Sequence, residues 1–198
     1  MPPADDIERY LVGAWRLMTG RRDGLGLLDV SADGFWNSFF AIVIALPPLI
    51  VGWVGTAKEL GADPAAPVGP FSYLLRLAVV DLGTWILPLV ALAFAAPLAG
   101  IRDRFVQYVV ALNWGTAILS WLLLPAALLR LVLPANSGFF TAVSLALFSL
   151  SMVLTWRLTN VVIAKGTAFG SAVFAGMLAA SITVLVVLQS VFGIYASG

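Results

Sequence analysis

Apolar residues run in five long stretches, at 35–56, 71–96, 105–131, 139–163 and 169–194, separated by short segments rich in proline, glycine and charge. About 20 helical residues, rising about 1.5 Å each, cover a hydrocarbon layer about 30 Å thick. Each stretch is therefore long enough for one crossing. The pattern predicts an all-α polytopic integral membrane bundle: five transmembrane helices within 34–198, preceded by a cytoplasmic tail at 1–33.

The tail carries a different periodicity. Ile7, Tyr10, Leu11, Ala14, Trp15 and Met18 recur at helical spacing, with Asp6, Glu8, Arg9, Arg16 and Thr19 opposite, which predicts an amphipathic interfacial helix over 5–18. Pro2 and Pro3 cannot continue it upstream, Asp5 and Glu8 have the spacing of a capping box, and Gly20 ends it. Two placements follow: in the lipid headgroup layer, or packed against the cytoplasmic ends of the spans. The segment from Arg21 to Asp33 is turn-rich. Ser31 or Asp33 is placed to cap the first span, and Phe35 and Trp36 stand where an aromatic belt forms.

Composition narrows the class. Of 198 residues, 61% are apolar and 11% charged, with mean hydropathy +1.01; a water-soluble domain carries about a quarter of its residues as charges. A net charge of +1 leaves no basic surplus for a phosphate backbone, so nucleic acid is not a partner. The chain has no His and no Cys, which removes Cys/His zinc sites, haem-ligating His, iron–sulfur clusters, disulfides and imidazole-served nucleophiles. No metal and no cofactor are implied.

Orientation follows from Lys and Arg near the span ends, which stay cytoplasmic. Arg9, Arg16, Arg21, Arg22, Arg102, Arg104, Arg157 and Lys165 fall on the tail's side, against Lys58, Arg76 and Arg130 on the other. The N-terminus is expected inside and the short C-terminal tail outside. The first 33 residues contain no apolar run long enough for a signal-peptide core, so the first span is expected to serve as the insertion signal. Nine Arg against two Lys, with heavy use of Ala and Leu, point to a high-GC bacterial genome and an inner membrane.

Asp81 is the ionisable residue that cannot escape the apolar layer, lying ten residues into the second stretch. It is expected either neutral or held by donors on neighbouring helices. Asn113 reaches a similar depth, Thr84 shares the face of Asp81, and Pro88 frees the Thr84 carbonyl, so Asp81, Thr84 and Asn113 are candidates for one polar site that binds a molecule or relays a proton. The other reading of Asp81 is interhelical glue. Arg76 is expected to snorkel outward, and Arg157 and Asn160, with Trp156 and Lys165, to form a cytoplasmic rim.

Pro47, Pro48 and Pro125 add breaks that either line a transport path or are ordinary features of membrane helices. In the fifth span Ala168, Ala172, Gly176 and Ala180 recur every four residues beside Ser171, Ala175, Ala179 and Thr183, a small-residue face suited to a membrane protein partner or a second copy.

Enzyme chemistry is set aside. An intramembrane aspartyl protease needs two carboxylates at depth and only Asp81 is there, a Ser/His protease lacks His, and no P-loop or Rossmann glycine pattern is present. The layout of a polar tail, five closely spaced spans and an Asp33-Gly34-Phe35-Trp36 element just before the first span resembles the Yip1 family of small multispanning membrane proteins. That resemblance implies a non-enzymatic membrane protein with an organising or accessory role; no residue role is carried over from it. The alternative is a small transporter or permease component built on Asp81.

Overall fold

The structure, a computed structural model, describes residues 2–61, 68–133 and 137–194. The outward tail expected after the fifth span lies outside the described residues. Regular structure within them is helical throughout, without a strand. Seven α-helices follow one another: α1 (Ala4–Met18), α2 (Ala32–Ser38), α3 (Ala41–Gly61), α4 (Pro70–Ala95), α5 (Phe105–Val132), α6 (Gly138–Ile163) and α7 (Thr167–Phe192). Short 3-10 turns occupy Arg22–Leu27 and Arg102–Arg104.

The five long helices coincide with the five apolar stretches, and each is long and apolar enough to cross a membrane. The first stretch differs in detail, because the chain turns at Phe39 and Phe40 and divides it into α2 and α3. Pro47, Pro48, Pro88 and Pro125 all lie inside helices that continue past them.

The long helices close into a ring whose spatial order is not the chain order. Going round, α3 packs on α5, α5 on α6, α6 on α7, α7 on α4, and α4 back on α3. Although consecutive in sequence, α4 and α5 thus face each other across the ring rather than lying side by side. Three polar clamps hold its ends. Arg130 on α5 pairs in two-pronged fashion with Glu59 on α3, at 2.8 and 2.5 Å. Lys165, after α6, donates to the Gly100 carbonyl and reaches Asp103 at 3.1 Å. Arg76 on α4 donates to the Phe192 carbonyl at the end of α7, at 2.6 Å, so at the bundle's end it caps a helix terminus.

Helix α1 packs its apolar side on α5 and α6. Tyr10, Ala14, Leu17 and Met18 are buried there, with the Tyr10 ring 5.3 Å from that of fully buried Trp114. The cap differs from expectation: the helix begins at Ala4 with Pro3 as N-cap and no side-chain cap, so Asp5 lies inside the first turn, where its charge opposes the helix dipole's positive end. The stop is as expected. Gly20 takes φ +90°, and Gly20 N–H to Leu17 O with Arg21 N–H to Arg16 O forms a Schellman closure. The return turn then approaches α1 closely: a Cβ on Gly13 would stand 2.9 Å from the Gly24 carbonyl oxygen, which leaves room only for glycine. Of the two capping residues considered for the first span, Ser31 does the work, its hydroxyl accepting from Gly34 N–H at 3.0 Å.

Candidate functional site

Among the helices of the ring lies a half-open cavity of about 320 Å³ to which all five contribute. On α4, Asp81, Thr84, Trp85 and Pro88 line it; spaced three and four apart, they form one stripe of a helix. On α5 the stripe is Tyr108, Leu112, Thr116 and Ser120, each four residues after the last. Leu49 closes the cavity from α3, Met152 and Thr155 from α6, and Phe174, Met177 and Ser181 from α7. No lysine or arginine lines it. Asp81 stands eleven residues past Pro70 in a 26-residue helix, near its middle.

The hydrogen bond that Asp81 receives comes from an unforeseen donor. Trp53 Nε1–H on α3 donates to Asp81 Oδ2 at 2.6 Å, joining α3 to α4. Trp53 is itself buried, at 6% exposure, among Ala57, Tyr73, Leu77 and Val80. A neutral indole supplies a hydrogen bond but no positive charge, so the carboxylate has no ionic partner in the cavity.

Of the other lining hydroxyls, those of Thr84, Ser120 and Thr155 are committed as donors, whereas those of Thr116 and Ser181 can donate or accept. Thr84 gives its proton to the Val80 carbonyl at 2.8 Å, Ser120 to Thr116 O at 2.9 Å, and Thr155 to Ser151 O at 2.8 Å. Thr159 spends its proton on Thr155 O at 2.9 Å, so at the 3.3 Å contact between Tyr108 and Thr159 the tyrosine is the donor. With these protons directed into helix backbones or a neighbouring hydroxyl, the oxygens have lone pairs left for a guest.

Asn113 does not join Asp81, and the single polar site expected of Asp81, Thr84 and Asn113 is split in two. Fully buried Asn113 accepts from Trp85 Nε1–H at 2.9 Å and donates to Ser38 Oγ at 2.9 Å; Ser38 in turn donates to Phe35 O at 2.7 Å. The Trp85 indole reaches across from α4 to α5, so Asn113 is a fastening between α2, α4 and α5 rather than a cavity group. The physical reason is the ring order: with α4 and α5 on opposite sides, an aspartate is too short to span what a tryptophan spans.

Where the cytoplasmic rim is expected, Arg157 is exposed, and Asn160 borders a groove with Gly20, Arg22 and Thr167, donating to Trp156 O at 2.9 Å with its Oδ1 buried and unpartnered. Trp156 Nε1–H donates to Ser171 Oγ on α7 at 2.9 Å. Trp121 completes the set by donating to the Ile44 carbonyl at 2.9 Å. Four tryptophans therefore tie helix to helix through their N–H groups, a role that their spread along the chain does not announce. On α7 the small-residue face is also shared. Ala172, Gly176 and Ala180 border a second groove of about 360 Å³ against α4, while Ala168, Ala175, Ala179 and Thr183 are exposed.

Among the described residues no three His, Cys, Asp or Glu side chains come together as a metal site would require. Fold and site define a helical bundle with five span-length apolar helices around a cavity that carries one carboxylate. No family model, curated protein or solved structure matches the chain.

Proposed function

We propose that the protein is a non-enzymatic integral membrane protein of the Yip1-like type, residing in a bacterial inner membrane with the N-terminus cytoplasmic and the C-terminus outside, and acting as a membrane organiser or accessory subunit. The observation that carries the membrane reading is the outer surface of the ring. Phe71, Phe94, Leu98, Phe139, Leu145 and Val191 are exposed at 63–92%, and α7 buries only Gly170 along its length. Apolar surface this extensive needs lipid or a partner to cover it.

The organising role is supported by α1, whose Val12 and Trp15 are exposed on the helix that lies beside the tail's arginines, and by Phe35, Trp36 and Phe39 clustered before α3 with ring centroids 5.2–6.2 Å apart. Such rings favour the headgroup level. The outward small residues of α7 suit a second copy or a membrane protein partner. The test is a set of reporter fusions at both termini and in each connection, combined with purification in mild detergent and identification of bound proteins. The reading expects the termini in different compartments and a stable companion or dimer; both ends in one compartment would overturn it.

A second reading, a small transporter or permease component, is favoured by the central cavity with Asp81 on its wall. Reconstituted vesicles showing a substrate- or proton-coupled flux that Asp81→Asn abolishes would support it. An Asp81→Asn change that alters only yield and assembly would count against it.

A further inference from the structure

We infer that the central cavity is a binding site for a small lipophilic monovalent cation, an aromatic or alkyl amine or quaternary ammonium, held by Asp81. The inference deepens the second reading and rests on its site, but it concerns occupancy and not flux. Three features on the cavity wall converge on this ligand class.

Charge is the first. Asp81 lies mid-helix in an apolar stretch, its hydrogen bond comes from the neutral Trp53 indole, and no lysine or arginine lines the cavity. The nearest cation along α4, Arg76, is committed to the Phe192 carbonyl at the bundle's end. A carboxylate so placed is costly unless neutralised, and a cationic guest neutralises it in place.

Hydrogen-bonding character is the second. Thr84, Ser120 and Thr155 send their protons into their own helices, leaving acceptor oxygens. The Thr116 and Ser181 hydroxyls can turn either way, so charge decides: an anion would meet the carboxylate, whereas an ammonium meets complementary charge and acceptor oxygens. Shape and surface are the third. Trp85, Tyr108 and Phe174 supply aromatic faces of the kind that attract ammonium groups, and the aliphatic remainder suits a hydrocarbon body. The volume of about 320 Å³ lies at the lower end of the range for ligand pockets, about 300–1,000 Å³. It admits a single-ring amine.

The experiment is equilibrium binding of radiolabelled benzyltrimethylammonium to the full chain purified in detergent. Competitors are its uncharged isostere neopentylbenzene, in which carbon replaces nitrogen, and benzenesulfonate. Saturable binding is expected, with the isostere competing at least tenfold less well and the sulfonate not at all. Asp81→Asn, which retains an oxygen to accept from Trp53, is expected to weaken binding at least tenfold, while Asp81→Glu keeps it. Met177→Trp fills the cavity from α7 without touching the carboxylate and is expected to abolish binding. Where Asp81→Asn does not yield a monodisperse protein, Met177→Trp and the isostere comparison decide the matter. Absence of saturable binding to folded protein, equal competition by the isostere, or undiminished affinity in Asp81→Asn or Met177→Trp would each overturn the assignment. Binding without flux in vesicles would remove the transport reading and leave the cation site standing.

Discussion

Trp53 on α3 donates its indole N–H to Asp81 on α4 across 2.6 Å, and this bond is both a fastening between two helices and the support of the one carboxylate in the cavity. Its two partners are not equivalent under mutation. Trp53→Phe removes the donor and leaves the carboxylate without a hydrogen bond, at a cost of about 1–3 kcal/mol. Asp81→Asn keeps an acceptor oxygen and is expected to cost less. Thermal unfolding in detergent should therefore rank wild type above Asp81→Asn above Trp53→Phe. Equal midpoints for Trp53→Phe and wild type would show that the bond contributes nothing.

Asn113 is the more severe structural target. Its side chain is fully buried and serves Trp85 and Ser38 at once. Asn113→Leu leaves the Trp85 N–H without its acceptor and takes away Ser38's donor, with an expected loss of about 2–4 kcal/mol. Ser38→Ala removes one of those bonds and should lose roughly half as much, about 1–2 kcal/mol. Chemical denaturation of the three proteins checks the order.

Two glycines of α7 give a controlled comparison. A Cβ on Gly170 would meet the Asn160 side chain and stand 3.0 Å from its Cα, a backbone atom that cannot move away cheaply; a Cβ on Gly176 would meet nothing. Gly170→Ala is expected to destabilise by about 1–3 kcal/mol through overpacking, and Gly176→Ala to stabilise by about 0.5–1 kcal/mol of backbone entropy, which raises the unfolding midpoint slightly. If the outward face of α7 joins two copies, Ala179→Leu should lower the dimer fraction on size exclusion while the monomer remains folded.

Acid sensitivity is expected at the junction between the tail and α2. The Ser31 side chain, together with the Ser31 backbone N–H at 2.9 Å from Asp29 Oδ1, holds the Asp29 carboxyl below the ordinary aspartate range. A carboxyl whose folded-state pKa is depressed stabilises the fold fully above its unfolded-state value, and that contribution is lost as pH falls through the folded-state value. Protection of the Ser31 amide from hydrogen exchange should therefore fall as the medium is taken below about pH 4, the ordinary aspartate value. In Asp29→Asn the protection should no longer depend on pH over that window.

The architecture was legible from the chain because long apolar helices are set by local quantities: length, hydropathy and the placing of proline, glycine and charge. Asp81 stood out for the same reason, since a carboxylate in a long apolar stretch is conspicuous without any knowledge of its neighbours. Even the cavity left a trace, in the four-residue spacing of Tyr108, Leu112, Thr116 and Ser120 and in the matching stripe from Asp81 to Pro88. Within one helix that spacing marks a face, but not what the face looks at.

Partnership was decided by the ring. Depth along each span placed Asp81 and Asn113 at similar levels, yet α4 and α5 stand opposite each other, so Asp81 meets Trp53 and Asn113 meets the Trp85 indole. Arg76 faces the end of α7 for the same reason, across 116 positions of chain. Periodicity determines which side chains share a helix face, because that geometry repeats every 3.6 residues. The order in which apolar helices surround one another depends on side-chain shape at every interface together, and only the folded structure expresses that sum.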